Sequence, residues 1–143
     1  MNNYPEIKEY KIDFVNNLPY QLGSTFDENN IDLKLEEEYG DVSVYRSYRY
    51  SELILSGTIT EPECYLWFGK GFLLAINYKI ENKYFETFEE TINSELPDGY
   101  ELADDPLEAA NVPTVYIDDI MICIEKLDEN YFVLKVQYHG EAQ

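Results

Sequence analysis

Few residues in this chain have catalytic or ligating potential. A Ser/His or Cys/His nucleophile system would have to use the one histidine, His139. It stands two positions after Gln137 at the end of an alternating apolar run, where a rim residue is the simpler reading. Cys64 and Cys123 lack the C-x-x-C spacing of a zinc site. Both lie in apolar strand patterns, so buried reduced thiols are expected. Asp104-Asp105 and Asp118-Asp119 could join a calcium or magnesium site, but no D-x-D-x-D-G loop accompanies them and adjacent acids read as solvated turns. Paired carboxylates could hydrolyse glycosides, yet 29 acidic residues supply so many pairs that pairing carries no information. Gly69-Lys70-Gly71 lacks the Walker spacing and a following helix, and a hairpin turn accounts for it. No cofactor and no metal is assigned.

Tyr45, Tyr48, Tyr50, Tyr65 and Trp67, with Arg46 and Arg49 among them, could form a stacking platform for bases or sugars. A sheet face with cross-strand aromatic pairs is the favoured reading. The net charge of -19 would repel a polyanion, so no nucleic-acid partner is expected.

Charge is the feature with functional content. Residues 84–125 hold 12 acids and no Lys or Arg. Residues 1–83 are only -6 and residues 126–143 only -1. An acidic surface keeps a domain soluble and monomeric. It can also dock on a strongly basic partner and speed the encounter by steering. The candidate partner-binding residues are Glu86, Glu89, Glu90, Asp104, Asp105 and Glu108.

These residues need a frame. Cys64–Phe68, a turn at 69–71 and Phe72–Ile80 read as a hairpin, followed by a helix over Tyr84–Leu96. Alternation places Phe72, Leu74, Ile76, Tyr78 and Ile80 on one sheet face. Phe85, Phe88, Ile92 and Leu96 form one helical stripe, expected to pack on Leu74 and Ile76. Asn82 is read as the helix N-cap, and Pro97-Asp98-Gly99 as its stop. Pro5–Leu18 is read as a helix through Ile7, Tyr10, Phe14 and Leu18, and 19–30 as a loop. Strands are expected at Ile31–Leu35, Val42–Tyr50, Leu53–Ile59, Val115–Ile117, Ile120–Leu127 and Tyr131–Tyr138, with an irregular connection over 99–113. Short connections favour antiparallel pairing. The fold class is therefore α+β: an antiparallel sheet of about six to seven strands with one or two helices on one face.

A length of 143 residues predicts a single domain over 1–143, able to fold without disulfide or metal. No apolar run reaches the roughly 18 residues of a membrane span. The first residues lack a basic and an apolar signal region, so a cytoplasmic protein is expected. The combination points to a non-catalytic acidic protein-binding domain, an inhibitor or immunity protein that neutralises a basic enzyme such as a nuclease. The rival reading is a small-molecule-binding or hydrolytic domain with a site on a concave sheet face lined by Tyr45, Tyr65, Trp67 and Tyr78.

Overall fold

Period-two alternation and short glycine-bearing turns convert most of the chain into antiparallel sheet. The computed structural model describes residues 7–55, 57–104 and 112–139. In chain order the strands are β1 (Leu33–Tyr39), β2 (Val42–Ser47), β3 (Leu53–Leu55), β4 (Thr58–Thr60), β5 (Glu63–Gly69), β6 (Phe72–Glu81), β7 (Ala103–Asp104), β8 (Pro113–Ile117), β9 (Ile120–Lys126) and β10 (Tyr131–Tyr138). Helical turns stand at α1 (Asp13–Asn16) and α2 (Phe26–Asn29), and the one longer helix among the described residues is α3 (Phe85–Glu95). Eight strands join one sheet in the order β1-β2-β5-β6-β10-β9-β8-β7, while β3 and β4 form a separate ribbon. The α+β class stands, with a larger sheet than the six to seven strands expected.

The central hairpin turns at Lys70-Gly71, with φ of 51° and 89°. Two positive φ values in a two-residue loop match the twist of the flanking strands. From β6 the chain crosses through α3 to the far edge and returns strand by strand, so β10 comes to lie beside β6. One face of the sheet is dry. Leu66, Ile76, Ile122, Ile124, Leu134 and Val136 are in one buried cluster with Tyr10, Ile12 and Phe14 from the N-terminal segment, Leu53 and Leu55 from the ribbon, and Phe88 and Ile92 from α3.

Four local expectations are corrected. The helix over Pro5–Leu18 shrinks, within the described residues, to the single turn α1. Residues 7–12 before it are in no helix, Ile12 is extended, and Tyr10, Ile12 and Phe14 are buried while Ile7 is exposed. The backbone N–H and C=O of Tyr10 are satisfied by the Asn16 side chain, both at 2.7 Å, and Phe14 N–H donates to Glu95 Oε1 at 2.8 Å. Side chains thus replace the bonds a helix would have made. Second, the strand over Leu53–Ile59 is instead the β3–β4 ribbon, turning beside Gly57 at φ 83°.

Third, Leu74 does not face α3. The β5–β6 ladder pairs Trp67 with Ala75 but Phe68 with Leu73, leaving Leu74 as an extra residue in a bulge. Such a slip exchanges faces: Leu73 is fully buried, and Leu74 lines a cavity on the opposite face with Trp67 and Ala75. Gly69 makes this possible, because a Cβ there would meet Leu74 Cδ1 at 2.3 Å. The stripe of α3 packs on β10, with the Phe85 and Phe88 rings 5.2 and 5.7 Å from Phe132. Fourth, Asn82 does not cap α3. It opens a 3-10 turn, and its Nδ2 donates to Asp128 C=O at 2.7 Å, tying the helix start to the β9–β10 turn.

Candidate functional site

Two surfaces have the residues to act: the outer side of α3 and the sheet face away from the core. On α3 the 100° step per residue sets each acid's exposure. Phe88 and Ile92 point inward and are fully buried. Glu86 and Glu90 fall on the far side and are exposed, while Glu89 flanks the apolar stripe and is half-buried. None of the three is in an ion pair among the described residues. The pairs Glu86–Glu89 and Glu86–Glu90 are helical neighbours of like charge, a cost of about 0.2–0.5 kcal/mol each. Only Glu86, in the first turn, has an offsetting attraction to the helix dipole. Glu95 is committed elsewhere, through its bond to Phe14 N–H.

The chain after α3 doubles back on it. Leu102 N–H donates to Asn93 Oδ1 at 2.7 Å, and Asn93 is one turn beyond Glu89 and Glu90. β7 begins at the next residue, and Asp104 is exposed there, opposite Pro113. Asp105 and Glu108 lie outside the described residues. The helix therefore gathers Glu86, Glu89 and Glu90, and one hydrogen bond leads the strand bearing Asp104 off its flank.

The second surface holds the half-buried Trp67. Register places Val44, Trp67, Ala75 and Gln137 in one row across β2, β5, β6 and β10. Arg46, Tyr65, Asn77 and Lys135 make the next row. Two hollows flank the indole. The larger, about 540 Å³, lies between Tyr39, Val42, Leu74, Gln137 and Tyr138. The smaller, about 280 Å³, is lined by Glu36, Glu37, Tyr65, Lys79, Glu125 and Lys135 among others. Tyr39 lies parallel to Trp67, at 6.0 Å and 13°. With the Asn77 amide oriented by its hydrogen bonds, its oxygen accepts the Trp67 indole N–H at 3.1 Å, and its nitrogen donates to Ile76 C=O.

Ion pairs knit this face. Lys135 Nζ meets Glu125 Oε1 at 2.8 Å and Arg46 meets Glu63 at 3.5 Å. The Tyr65 hydroxyl donates to Glu63 at 2.6 Å. That bond holds the Glu63 carboxyl below its ordinary range, with Arg46 adding to it. Burial, together with the same bond, pushes the Tyr65 phenol up to about 12.

The remaining candidates separate. Of the rival's lining, Tyr65 and Trp67 share the open face, but Tyr78 is buried in the core and Tyr45 packs on Phe26 and Phe68. Tyr48 and Tyr50 stand beyond the end of β2, each beneath an arginine. Cys64 is a free thiol facing the core, pushed up to about 12 by burial. Cys123 is buried three strands away, about 14 Å at ordinary strand spacing and too far from Cys64 for a disulfide. His139 packs on Tyr116, and its backbone N–H donates to Asp119 C=O. Asp119 pairs with Lys8 at 2.8 Å. Among the described residues no three His, Cys, Asp or Glu side chains gather as metal ligands.

Sequence reasoning missed Glu36 and Glu37 as site residues. They were read beyond the end of a short strand, although Leu33–Tyr39 is one continuous edge strand. No protein-family model, curated protein or solved structure matches this chain.

Proposed function

We propose that this chain is a non-catalytic acidic binding domain that docks on a basic partner and neutralises it, as an inhibitor or immunity protein does for a basic enzyme such as a nuclease. The observation that carries this reading is the outer side of α3. Glu86, Glu89 and Glu90 stand within one turn, where no described cation pairs with them. Their mutual repulsion weakens the helix, and a cationic partner would relieve it. Neighbours on one helical turn lie about 5–6 Å apart, inside the screening length of about 8 Å at physiological salt. They would therefore act on an approaching protein as one patch. Asp104, with Asp105 and Glu108 following in sequence, extends the same charge. No helix among the described residues is long and apolar enough to cross a membrane, and a cytoplasmic partner is part of this proposal.

The test is capture of the partner from the native lysate at low and high salt, with wild type and with the E86K/E89K/E90K variant as bait. A protein of basic isoelectric point, retained by wild type at low salt and lost by the variant, supports the proposal. Equal retention by both baits refutes it. The rival reading, a small-molecule site, draws on the hollows beside Trp67, but Tyr45 and Tyr78 have left its lining.

A further inference from the structure

The smaller hollow on the open sheet face is built differently from the helix surface. Its carboxylates are Glu36, Glu37 and Glu125 and its ammonium groups are Lys79 and Lys135. Both lysines have partners within the molecule, and the Arg46 guanidinium already lies over the Tyr65 ring at 5.9 Å, which leaves Trp67 as the open aromatic surface. Lys135 holds Glu125 at 2.8 Å, and the Lys79 ammonium lies over the Tyr131 ring at 4.6 Å. The Glu36 and Glu37 carboxylates, on the edge strand β1, are in no ion pair or side-chain hydrogen bond among the described residues. The bulge between Leu35 and Glu37 brings both acids to the rim of one hollow, where simple alternation would have sent them to opposite faces. Glu36 is near enough to Tyr65 to help push its phenol up. The aromatic floor is fixed as well, since the Trp67 indole N–H is held by Asn77.

We infer that this hollow takes an arginine side chain of the basic partner, its guanidinium against Trp67 and its N–H groups donating to Glu36 and Glu37. Three features select that chemistry. Tryptophan is the best aromatic partner for a cation. A planar guanidinium stacks on rings and donates as a fork to carboxylates, which a lysine ammonium cannot do. An aromatic-centred pocket with charged rims is also the usual form of an interface hot spot. This inference rests on the proposed basic partner and assigns it a specific contact, distinct from the long-range pull of α3.

Trp67 is the protein's one tryptophan, so its fluorescence reports the site directly. The probes are acetylated, amidated tetra-arginine, with tetra-lysine and the isosteric, uncharged tetra-citrulline beside it. Tetra-arginine is expected to change the emission saturably, to bind more tightly than tetra-lysine, and to outcompete tetra-citrulline by about tenfold or more. E36Q/E37Q alters two exposed side chains, keeps the reporter, and is expected to weaken tetra-arginine by about tenfold. Trp67→Leu, followed by calorimetry after its circular dichroism has been matched to wild type, is expected to weaken it similarly. The E86K/E90K variant is expected to retain the emission change. If E36Q/E37Q binds tetra-arginine as wild type does while E86K/E90K loses it, the hollow is not the site, and the acidic helix alone carries the proposed function. If tetra-arginine produces no saturable change at low salt, the hollow takes no guanidinium. The lysate capture then judges the helix surface separately.

Discussion

At the scale of single residues, Cys64 shows how burial decides chemistry. Its thiol faces the core on β5, opposite Tyr78 on β6, and burial pushes it from an ordinary 9.0 up to about 12. Burial also pushes the Tyr78 phenol up. A thiolate is the reactive form, so this cysteine is inert in the fold. The sign of the stability effect follows from a raised folded pKa. Below about pH 9 the thiol is neutral in both states and its contribution is fully present. Between about pH 9 and 12 only the unfolded chain ionises, and stability falls. Urea melts are expected to hold level through neutral pH and to lose midpoint above pH 9, with a shallower loss in Cys64→Ala. A native protein whose Cys64 reacts with a thiol reagent as fast as a denatured one would contradict this placement.

At the scale of elements, α3 is fixed by aromatic packing across a pairing far apart in the chain. Phe88 is fully buried and its ring meets Phe132 of β10. Phe88→Ala is expected to cost about 3–5 kcal/mol in chemical denaturation, as for other buried phenylalanines. Leu74→Ala, removing a side chain from the open face, is expected to cost clearly less. If the two costs were equal, or their order reversed, the assignment of faces around the bulge would be wrong. The helix stripe itself was readable, because Phe85, Phe88 and Ile92 recur with helical spacing. Its docking site was not, since nothing local shows that β10 returns to lie beside β6. The face of Leu74 was misread for a related reason. A bulge costs one residue of register and leaves the alternation of apolar types in Phe72–Ile80 intact. The N-terminal segment offered two periods at once, and Ile12 between Tyr10 and Phe14 was the clue to the extended one. Thr25-Phe26-Asp27-Glu28 carried a capping-box pattern that foretells α2, and both of its hydrogen bonds are present. Of the candidate site, the acids of α3 were legible by composition, whereas the Glu36–Glu37 rim depends on a bulge and a sheet edge that composition does not reveal.

At the scale of the whole molecule, charge and apolar surface divide the work. The dry side of the sheet spends its apolar residues on the core, under α3 and the N-terminal segment. The other side carries Trp67 amid ion pairs that leave it far closer to neutral than the chain as a whole. Among the described residues no strand pairs with the outer side of edge strand β1, where three consecutive glutamates and a bulge oppose strand-to-strand aggregation. In this account the acidic helix draws a basic partner in, and the aromatic face holds it. Steering of this kind acts on the association rate and fades as salt screens it.

The most direct measurement of that claim is the association rate between the captured partner and E86K/E89K/E90K, compared with wild type at low and physiological salt. Two of the three positions are exposed and Glu89 is half-buried; surface substitutions each change stability by about 0.5 kcal/mol or less, so thermal melts should show both proteins folded with midpoints a few degrees apart at most. The account predicts slower association for the variant, with the gap widest at low salt and the dissociation rate little altered. Association as fast as wild type at both salts would contradict it, and would leave the acids of α3 as a solubility surface.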